Sequence, residues 1–305
     1  MQNNTEDQHF VPVCYLRNFS PESEKHKKNP RVWAYDKFSK SSRFRGAKSI
    51  CYSKKLYSIN NISESLITNN IKDKETIFES HYLHDFENEY SVKLNEAIAS
   101  IQQRKFGGQQ KLDVSAFIVI QYLRDPIIKS LCAGDEEIPF LSLPEEYKKL
   151  SNNSPELLKD PSMKHFMYAY GNKKAVSTLI RSLAVSEWTI HYSDKDVFFT
   201  SDNPVCLAQD KPSALNSNGI SNAPTLSILF PLSKNILLQI KQERQINSVF
   251  FIDNIPQTHI DSFNFVQAFF AKKYVVSTTD SFASIKEKLD NIPLTWDKNK
   301  LNIYG

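Results

Sequence analysis

The spacing of apolar residues along the chain changes twice, and each change marks a new block of structure. Over residues 8–60, aromatic and β-branched residues form short runs that predict strands, namely "FVPVCYL", "RVWAYD" and "KKLYSI". Over residues 74–186 the apolar residues recur every three or four positions, which predicts helices. The segment "DVSAFIVIQYLR" is apolar on almost every side, so we expect a buried helix that starts near Asp113 and runs to Pro126.

The third block, residues 187–305, returns to short apolar runs between turn residues. Six strands are predicted from "EWTIHYS", "DVFFTSD", "PVCLA", "TLSILFPL", "NILLQIK" and "SVFFID", followed by a helix, a last strand "YVVST" and a last helix. Because strands and helices are segregated along the chain, the pattern favours an α+β fold over a doubly wound sheet. We predict a single domain, residues 1–305, with N-terminal short strands, a central helical block and a C-terminal mostly antiparallel sheet with closing helices.

Composition restricts the class of protein without identifying an activity. The chain of 305 residues is 40% hydrophobic and 24% charged, which is typical of a globular protein, and it has only 7 glycines, which argues against a glycine-rich phosphate loop. No apolar run approaches the roughly 20 residues that span a bilayer, and "MQNNTEDQ" lacks the features of a signal peptide, so we expect a cytoplasmic protein with no membrane partner. Four scattered cysteines predict free thiols.

Charge changes this picture, because the net charge of +4 is unevenly spread. The segment "KFSKSSRFRGAKSICYSKKLYS", residues 37–58, carries seven cations and no acid, with aromatic residues between them. Cations that neutralise phosphates, beside rings that stack on bases, predict a surface for RNA or DNA. The alternative is a solvated hairpin with its aromatic rings in the core. The candidate nucleic-acid contacts are Lys37, Lys40, Arg43, Arg45, Lys48, Lys54 and Lys55.

Two polar residues near the N-terminus are candidates for chemistry. His9 lies on a predicted strand, "QHFVPVCYL", and Asp36 ends the next one. If neighbouring strands bring the imidazole and the carboxylate together, they could form an acid–base pair or the start of a metal site. The alternative is a histidine that is hydrogen-bonded to the backbone at a sheet edge.

A second pair is predicted between the helices. Glu87 borders the apolar stripe of one helix, and a carboxylate in that position normally has a partner. Arg124 ends the most apolar helix of the chain, where an arginine must be paired or lie at a cleft. We therefore expect a Glu87–Arg124 ion pair; the alternative is that Arg124 contacts a phosphate or an oxyanion.

A third candidate carboxylate is Asp202, which follows the apolar run "DVFF" in "TSDNPV". A carboxylate at the end of a central strand is where metal-dependent hydrolases place a ligand, and the later strand has Gln239 and Lys241 on one face, an order similar to that of one class of metal-dependent nucleases. The turn chemistry of Ser, Asp and Asn before Pro204 would also explain these residues.

Several of these segments together resemble the domain-of-unknown-function 4238 family. "QHFVPVCYLRNFS" followed by "VWAYDK" is similar to the family's H-[HY]-x-P-x-x-Y-L-x-x-F … v-Y-D-k opening, and "FENE", "VIQYLRDP", "FFTSDNPV" and "ILFPLSKNILLQI" are similar to later blocks. The family often has a second Glu before Glu87, which aligns here with Ser80; Glu79 is adjacent. The matching positions are His9, Pro12, Tyr15, Leu16, Asp36, Glu87, Arg124, Ser201, Asp202, Pro204, Pro231 and Leu232.

The resemblance implies that polar residues from distant segments are grouped, as an active site requires, but it supplies no activity. Our leading hypothesis is a metal-dependent phosphodiester hydrolase, nuclease-like, of the kind used as a bacterial toxin or defence effector. His9, Arg124 and Asp202 are its candidate catalytic residues, and Asp36, Glu87 and Asp202 are candidate ligands for Mg²⁺. The alternatives are a non-catalytic module that binds nucleic acid or protein, and a nucleotide or small-molecule sensor.

Overall fold

The structure, a computed structural model, describes residues 7–57, 84–133, 161–166, 173–209, 226–241 and 247–290. Its strands are β1 Asp7–His9, β2 Arg31–Asp36, β3 Ser41–Gly46, β4 Tyr52–Lys54, β5 Glu187–Tyr192, β6 Thr200–Ser201, β7 Cys206–Gln209, β8 Leu226–Ser233, β9 Ile236–Lys241, β10 Val249–Ile252 and β11 Tyr274–Ser277. Its helices are α1 Val13–Leu16, α2 Glu22–Lys25, α3 His84–Gln102, α4 Gly108–Leu123, α5 Pro126–Ala133, α6 Pro161–Phe166, α7 Lys173–Ala184, α8 Gln257–Phe270 and α9 Ala283–Asp290. The order confirms the predicted α+β fold class.

The N-terminal segment differs from its prediction. The strand expected for "QHFVPVCYL" ends at His9, where β1 pairs antiparallel with β4, and the chain then turns into the short helix α1. Pro12 directly precedes this helix, a position where its fixed φ is suitable and its missing N–H costs nothing. Tyr15 and Leu16 are fully buried on the helix, so they anchor the segment in the core as expected but not as strand residues.

Two larger sheets follow. The first has the order β3–β2–β11–β6 with antiparallel pairing throughout, so it joins strands from the two ends of the chain. The second has the order β10–β5–β9–β8–β7, in which the β10–β5 pair is parallel and the others are antiparallel. The predicted mostly antiparallel C-terminal sheet is confirmed.

The helical block packs around α4. Helices α3 and α7 both contact α4, and α5 contacts α6. Helix α4 begins at Gly108, five residues before the expected start at Asp113, and Gly108 has a φ of 42°, which a glycine adopts readily. Within the described ranges, no helix is both long and apolar enough to cross a membrane.

One apolar cluster draws side chains from all three blocks. Its centre is a group of three rings, in which the centroid of Tyr15 lies 5.3 Å from that of Phe230 and 5.7 Å from that of Phe117. The hydroxyl of Tyr15 donates to the carbonyl of Pro231 at 2.6 Å and lies 2.7 Å from the hydroxyl of Thr200. The segment that carries His9 is thereby fixed against both the helical block and the C-terminal strands.

Candidate functional site at the end of helix α4

Arg124, the residue that follows α4, is the centre of a buried polar cluster. Its side chain is only 1% exposed, and its Nη2 donates to Glu87 Oε1 at 2.8 Å and to the carbonyl of His9 at 2.5 Å. The predicted Glu87–Arg124 ion pair is therefore present. The side chain of Glu87 is 32% exposed, so the carboxylate forms the part of the cluster that reaches the surface.

Further hydrogen bonds fasten the last turn of α4 to its surroundings. The amide of Gln121 donates to the carbonyl of Phe10 at 2.8 Å, and the hydroxyl of Tyr57 donates to the carbonyl of Arg124 at 2.8 Å. The imidazole of His165 is 2.6 Å from the carbonyl of Leu123. Carbonyls at a helix end have no partner within the helix, so Tyr57 and His165 supply the missing donors, whereas Gln121 links the helix to the N-terminal segment.

His9 is half-buried beside this cluster and is held in one orientation. Its Nε2 lies 3.1 Å from the carbonyl of Lys48. Because a carbonyl can only accept, Nε2 carries the hydrogen and the neutral ring keeps its lone pair on Nδ1. Burial lowers the pKa of His9, although the charge of Glu87 opposes this shift. The arrangement favours a neutral imidazole that can accept a proton.

Cys14 lies close enough to Glu87 for the carboxylate charge to affect the pKa of its thiol. Burial raises the pKa of the Cys14 thiol to about 12, and the carboxylate of Glu87 adds to the shift. A thiol that stays protonated is a poor nucleophile. Cys14 is therefore a packing residue at the border of the cluster.

Asp202 has a different environment, in which backbone amides surround the carboxylate. The residue is 1% exposed. Its Oδ1 accepts the N–H of Lys272 at 2.8 Å, and its Oδ2 accepts the N–H groups of Lys273 at 2.7 Å and Tyr274 at 3.0 Å. Three consecutive N–H groups form a concave anion site, and here the anion is a side chain of the same protein. Asp202 fixes the entry into β11.

A buried ion pair connects Asp202 to the end of α4. Lys272 Nζ contacts Asp125 Oδ1, and both residues are almost fully buried. We call the connected set Glu87, Arg124, Asp125, Lys272 and Asp202 the buried polar network. Asp125 and Lys272 were not among the predicted site residues. Their signals in the sequence are the position of Asp125 beside Arg124 in "LRDP" and the double lysine that follows Ala271 after α8.

The other two candidates near the N-terminus have local roles. Asp36 Oδ1 accepts the N–H groups of Phe38 at 2.9 Å and Ser39 at 3.2 Å, which closes the turn between β2 and β3. Lys37 is buried, and its Nζ donates to the carbonyls of Ala268 at 2.8 Å and Ala271 at 2.6 Å, at the end of α8. Burial lowers the pKa of Lys37, and the charge of Asp202 opposes the shift. Lys37 must therefore be removed from the predicted surface contacts, because its amine neutralises a helix end inside the fold.

The predicted metal ligands do not meet as a set. In the part of the chain that the structure describes, no group of three or more His, Cys, Asp or Glu side chains could hold a metal ion. Asp36 closes a turn, Glu87 pairs with Arg124 and Asp202 accepts three amides. The Mg²⁺ assignment stays a prediction, and the substitute carboxylate Glu79 lies outside the described residues.

The remaining basic residues in the range 37–58 are exposed or half-buried. In β3, Arg43 is opposite Ala34 and Arg45 is opposite Val32, so both arginines are on one face of the sheet. Arg43 and Lys48 are exposed, and Arg45 is half-buried with its guanidinium 5.9 Å from the centre of the Tyr274 ring. We call Arg43, Arg45 and Lys48 the basic face. Lys40, Lys54 and Lys55 are also exposed.

His9 is linked to the basic face through the backbone of Lys48. The carbonyl that holds the His9 ring belongs to Lys48, and His9 is opposite Tyr52 in the β1–β4 pair. The partially exposed Glu87 is near enough to raise the pKa of His9 against the effect of burial. Two of the predicted catalytic residues, His9 and Arg124, therefore belong to one cluster, whereas Asp202 is linked to it only through Asp125 and Lys272.

Comparison with known proteins gives one result. No curated protein and no solved structure matches the chain. The family model described as "Protein of unknown function (DUF4238)" matches residues 7–281, a range that contains the whole buried polar network and the basic face. The chain therefore belongs to the DUF4238 family, as the resemblance of its separated segments predicted.

Proposed function

We propose that this protein binds the phosphate backbone of nucleic acid along the basic face. The observation that carries the proposal is the distribution of charge over residues 25–57, where the only acid is Asp36, whose carboxylate is used within its own turn. Lys27 pairs with Glu24 at 2.5 Å, and the other exposed cations of this range are Lys28, Arg31, Lys40, Arg43, Lys48, Lys54 and Lys55. An excess of exposed cations of this kind attracts polyanions.

The geometry of β3 suits an extended chain of phosphates. Arg43 and Arg45 are two residues apart on one strand face, which separates their Cα atoms by about 7 Å. Successive phosphates of an extended single strand have a comparable spacing. β3 is also an edge strand of the four-stranded sheet, so an extended ligand can bind along its outer side.

The test is a charge-removal triple variant, Arg43→Ala with Arg45→Ala and Lys48→Ala. Each phosphate contact that is lost reduces the slope of log K against log salt concentration by about 0.7 to 0.9, so we expect the slope to fall by about 2 to 3. Affinity for a fluorescent oligonucleotide, measured by anisotropy at several salt concentrations, gives this slope. The control removes the same charge elsewhere, through Lys105→Ala, Arg181→Ala and Lys195→Ala, which are all exposed. Equal losses in the two variants, or no loss in the first, would contradict the proposal.

Phosphodiester cleavage at His9 is a second candidate, and one observation favours it. The imidazole is held by the Lys48 carbonyl with Nδ1 as its basic nitrogen, next to the basic face that would carry the phosphates. A neutral histidine in this position can take the proton of an attacking hydroxyl or water. Because the carboxylates of Asp36 and Asp202 accept backbone N–H groups, we derive no step through Mg²⁺.

The cleavage hypothesis has its own experiment. Labelled RNA and DNA are incubated with the wild-type protein, with His9→Ala and with the control His26→Ala, whose histidine is exposed in the N-terminal block. We expect products with the wild type and the control, and none with His9→Ala. If the wild-type protein leaves both substrates intact while it still binds them, the binding proposal stands and the cleavage hypothesis fails.

A further inference from the structure

We infer that the nucleic acid bound by this protein is single-stranded and that one of its bases stacks on Phe38. The inference rests on the proposed function and names its substrate class. Phe38 lies in the turn between β2 and β3 and is 38% exposed. Elsewhere in the described ranges, the other exposed phenylalanine is Phe250 on β10, far along the chain from the basic face.

Hydrogen bonds hold the backbone of the turn that carries Phe38. Asp36 Oδ1 accepts the N–H of Phe38 itself and that of Ser39, and the hydroxyls of Ser39 and Ser41 are 2.8 Å apart. Immediately before Phe38, the amine of Lys37 is bound to carbonyls at the end of α8. The backbone at Phe38 is therefore ordered before any ligand arrives, which reduces the conformational entropy lost on binding.

The neighbours of Phe38 provide the charge that a single-stranded ligand requires. Lys40 is exposed two residues later, and the exposed Arg43 follows on β3. Proteins that bind single strands combine cations along the backbone with rings on which bases stack. In a duplex the bases are already stacked and paired, so Phe38 could reach one only at the cost of opening the helix. The ring should therefore favour a single strand over a duplex.

An anionic membrane is the main competing ligand for an aromatic ring among cations. Membrane affinity depends on the apolar area that is buried as well as on charge. The sequence neighbours of Phe38 in its turn are Lys37, Ser39 and Lys40, so within the turn itself Phe38 is the one apolar side chain. This composition favours a stacked base over insertion into lipid.

The experiment compares Phe38→Ala, Phe38→Trp and the control Phe250→Ala, whose ring is 51% exposed on the other sheet. Affinity is measured for an oligothymidine strand and for a hairpin duplex of equal length. One lost stacking contact corresponds to a weakening of about 5-fold to about 150-fold, and we expect Phe38→Ala to reach at least the lower value for the strand. Duplex binding should stay unchanged, and binding of the strand should quench the emission of the introduced tryptophan.

Several outcomes would overturn the inference. They are an equal loss of strand and duplex affinity in Phe38→Ala, an equal loss in Phe250→Ala, and retention of full strand affinity by Phe38→Ala. Loss of binding to phosphatidylserine vesicles with unchanged strand affinity would assign Phe38 to a membrane instead. If the triple variant of the basic face loses strand affinity and Phe38→Ala does not, the proposed function survives and only this inference fails. If the wild-type protein binds neither strand nor duplex, both fail.

Discussion

The buried polar network and the basic face use the same residue types in opposite environments. In the network, Arg124, Asp125, Lys272 and Asp202 are almost fully buried, and each charge is met by an opposite charge or by backbone groups. On the basic face, Arg43 and Lys48 project into solvent. Residue type alone therefore does not determine the role of a charged side chain. The environment decides whether the charge organises the fold or is available to a ligand.

The two regions also differ in their energetic consequences. Removing a charge from water costs several kcal/mol, which a buried ion pair recovers only with good geometry and additional hydrogen bonds. The network therefore specifies one arrangement of α4, α8 and β11 and contributes little net stability through its charges. An exposed cation keeps its hydration in the folded protein, and salt screens its interaction with other charges, so it has little effect on the free energy of unfolding. Its charge has its main effect when a ligand binds.

The largest expected effect of a single change is that of Arg124→Ala. The substitution removes a large side chain that is 1% exposed, together with the partner of Glu87 and a donor to the His9 carbonyl, so we expect a loss of about 3 kcal/mol. Urea unfolding followed by circular dichroism measures this loss. We expect the midpoint to fall clearly while the slope of the transition is unchanged.

A matched control for Arg124 is available on the surface. Arg104 is also paired with a carboxylate, that of Asp253, but both side chains are at least 40% exposed. Its guanidinium also lies over the rings of Tyr192 and Phe251, so Arg104→Ala should lower the free energy of unfolding by about 1 to 2 kcal/mol, less than Arg124→Ala. If the two substitutions lowered the free energy of unfolding equally, burial would not be the property that distinguishes the two regions.

The next effect is a dependence of stability on pH through His165. Burial lowers the pKa of His165 from 6.5 to about 4, and the nearby charge of Lys129 acts in the same direction. Between pH 6.5 and about pH 4 the unfolded chain binds a proton that the folded ring does not bind, so the free energy of unfolding falls as the pH falls. The shift corresponds to about 3 kcal/mol over this window.

This contribution can be isolated with His165→Gln, because a glutamine amide can still donate to the Leu123 carbonyl and does not titrate. We expect a flatter profile of unfolding free energy between pH 6.5 and pH 4 than for the wild type. His26→Gln, at an exposed histidine, should leave the profile unchanged. If His165→Gln and the wild type have parallel profiles, the buried ring is not the source of the pH dependence.

The smallest effect on stability should come from the triple variant of the basic face. The side chains of the basic face are exposed or half-buried, and the main contact that is lost is that of Arg45 with the Tyr274 ring. We therefore expect the free energy of unfolding to fall by about 1 kcal/mol or less in total. Thermal unfolding at low salt measures it. A drop as large as that of Arg124→Ala would place the basic face among the fold-organising charges.

The Glu87–Arg124 pair could be predicted from the sequence because both residues interrupt an apolar helical pattern. An arginine at the end of so apolar a helix requires a partner, and a carboxylate at the border of another apolar stripe is its natural choice. Most strands of the C-terminal block were predictable for a similar reason, since their apolar runs are short and bounded by turn residues. In both cases the signal lies within a few residues of the feature. The run "DVFF" is an exception: it precedes β6 Thr200–Ser201, an edge strand, so Asp202 does not follow a central strand.

Other features could not be predicted because their cause is distant in the chain. Lys37 belongs to a basic run, and only the position of α8, more than 230 residues later, makes it a buried residue. Asp125 and Lys272 are 147 residues apart. Pro12 fits the edge of a strand as well as the start of a helix, and the burial of Tyr15 against Phe230 decides between them.

The hydrogen bond from Tyr15 to Pro231 joins residues that are 216 positions apart in the sequence. A ribosome that adds roughly 5 to 20 residues per second needs between about 10 and about 45 s to cover that interval. During this time Pro231 and the residues after it, which bury the N-terminal segment, have not yet been synthesised. The partner of β2, β11, is synthesised later still. The nascent chain therefore exposes the apolar residues of its first block until its synthesis is nearly finished.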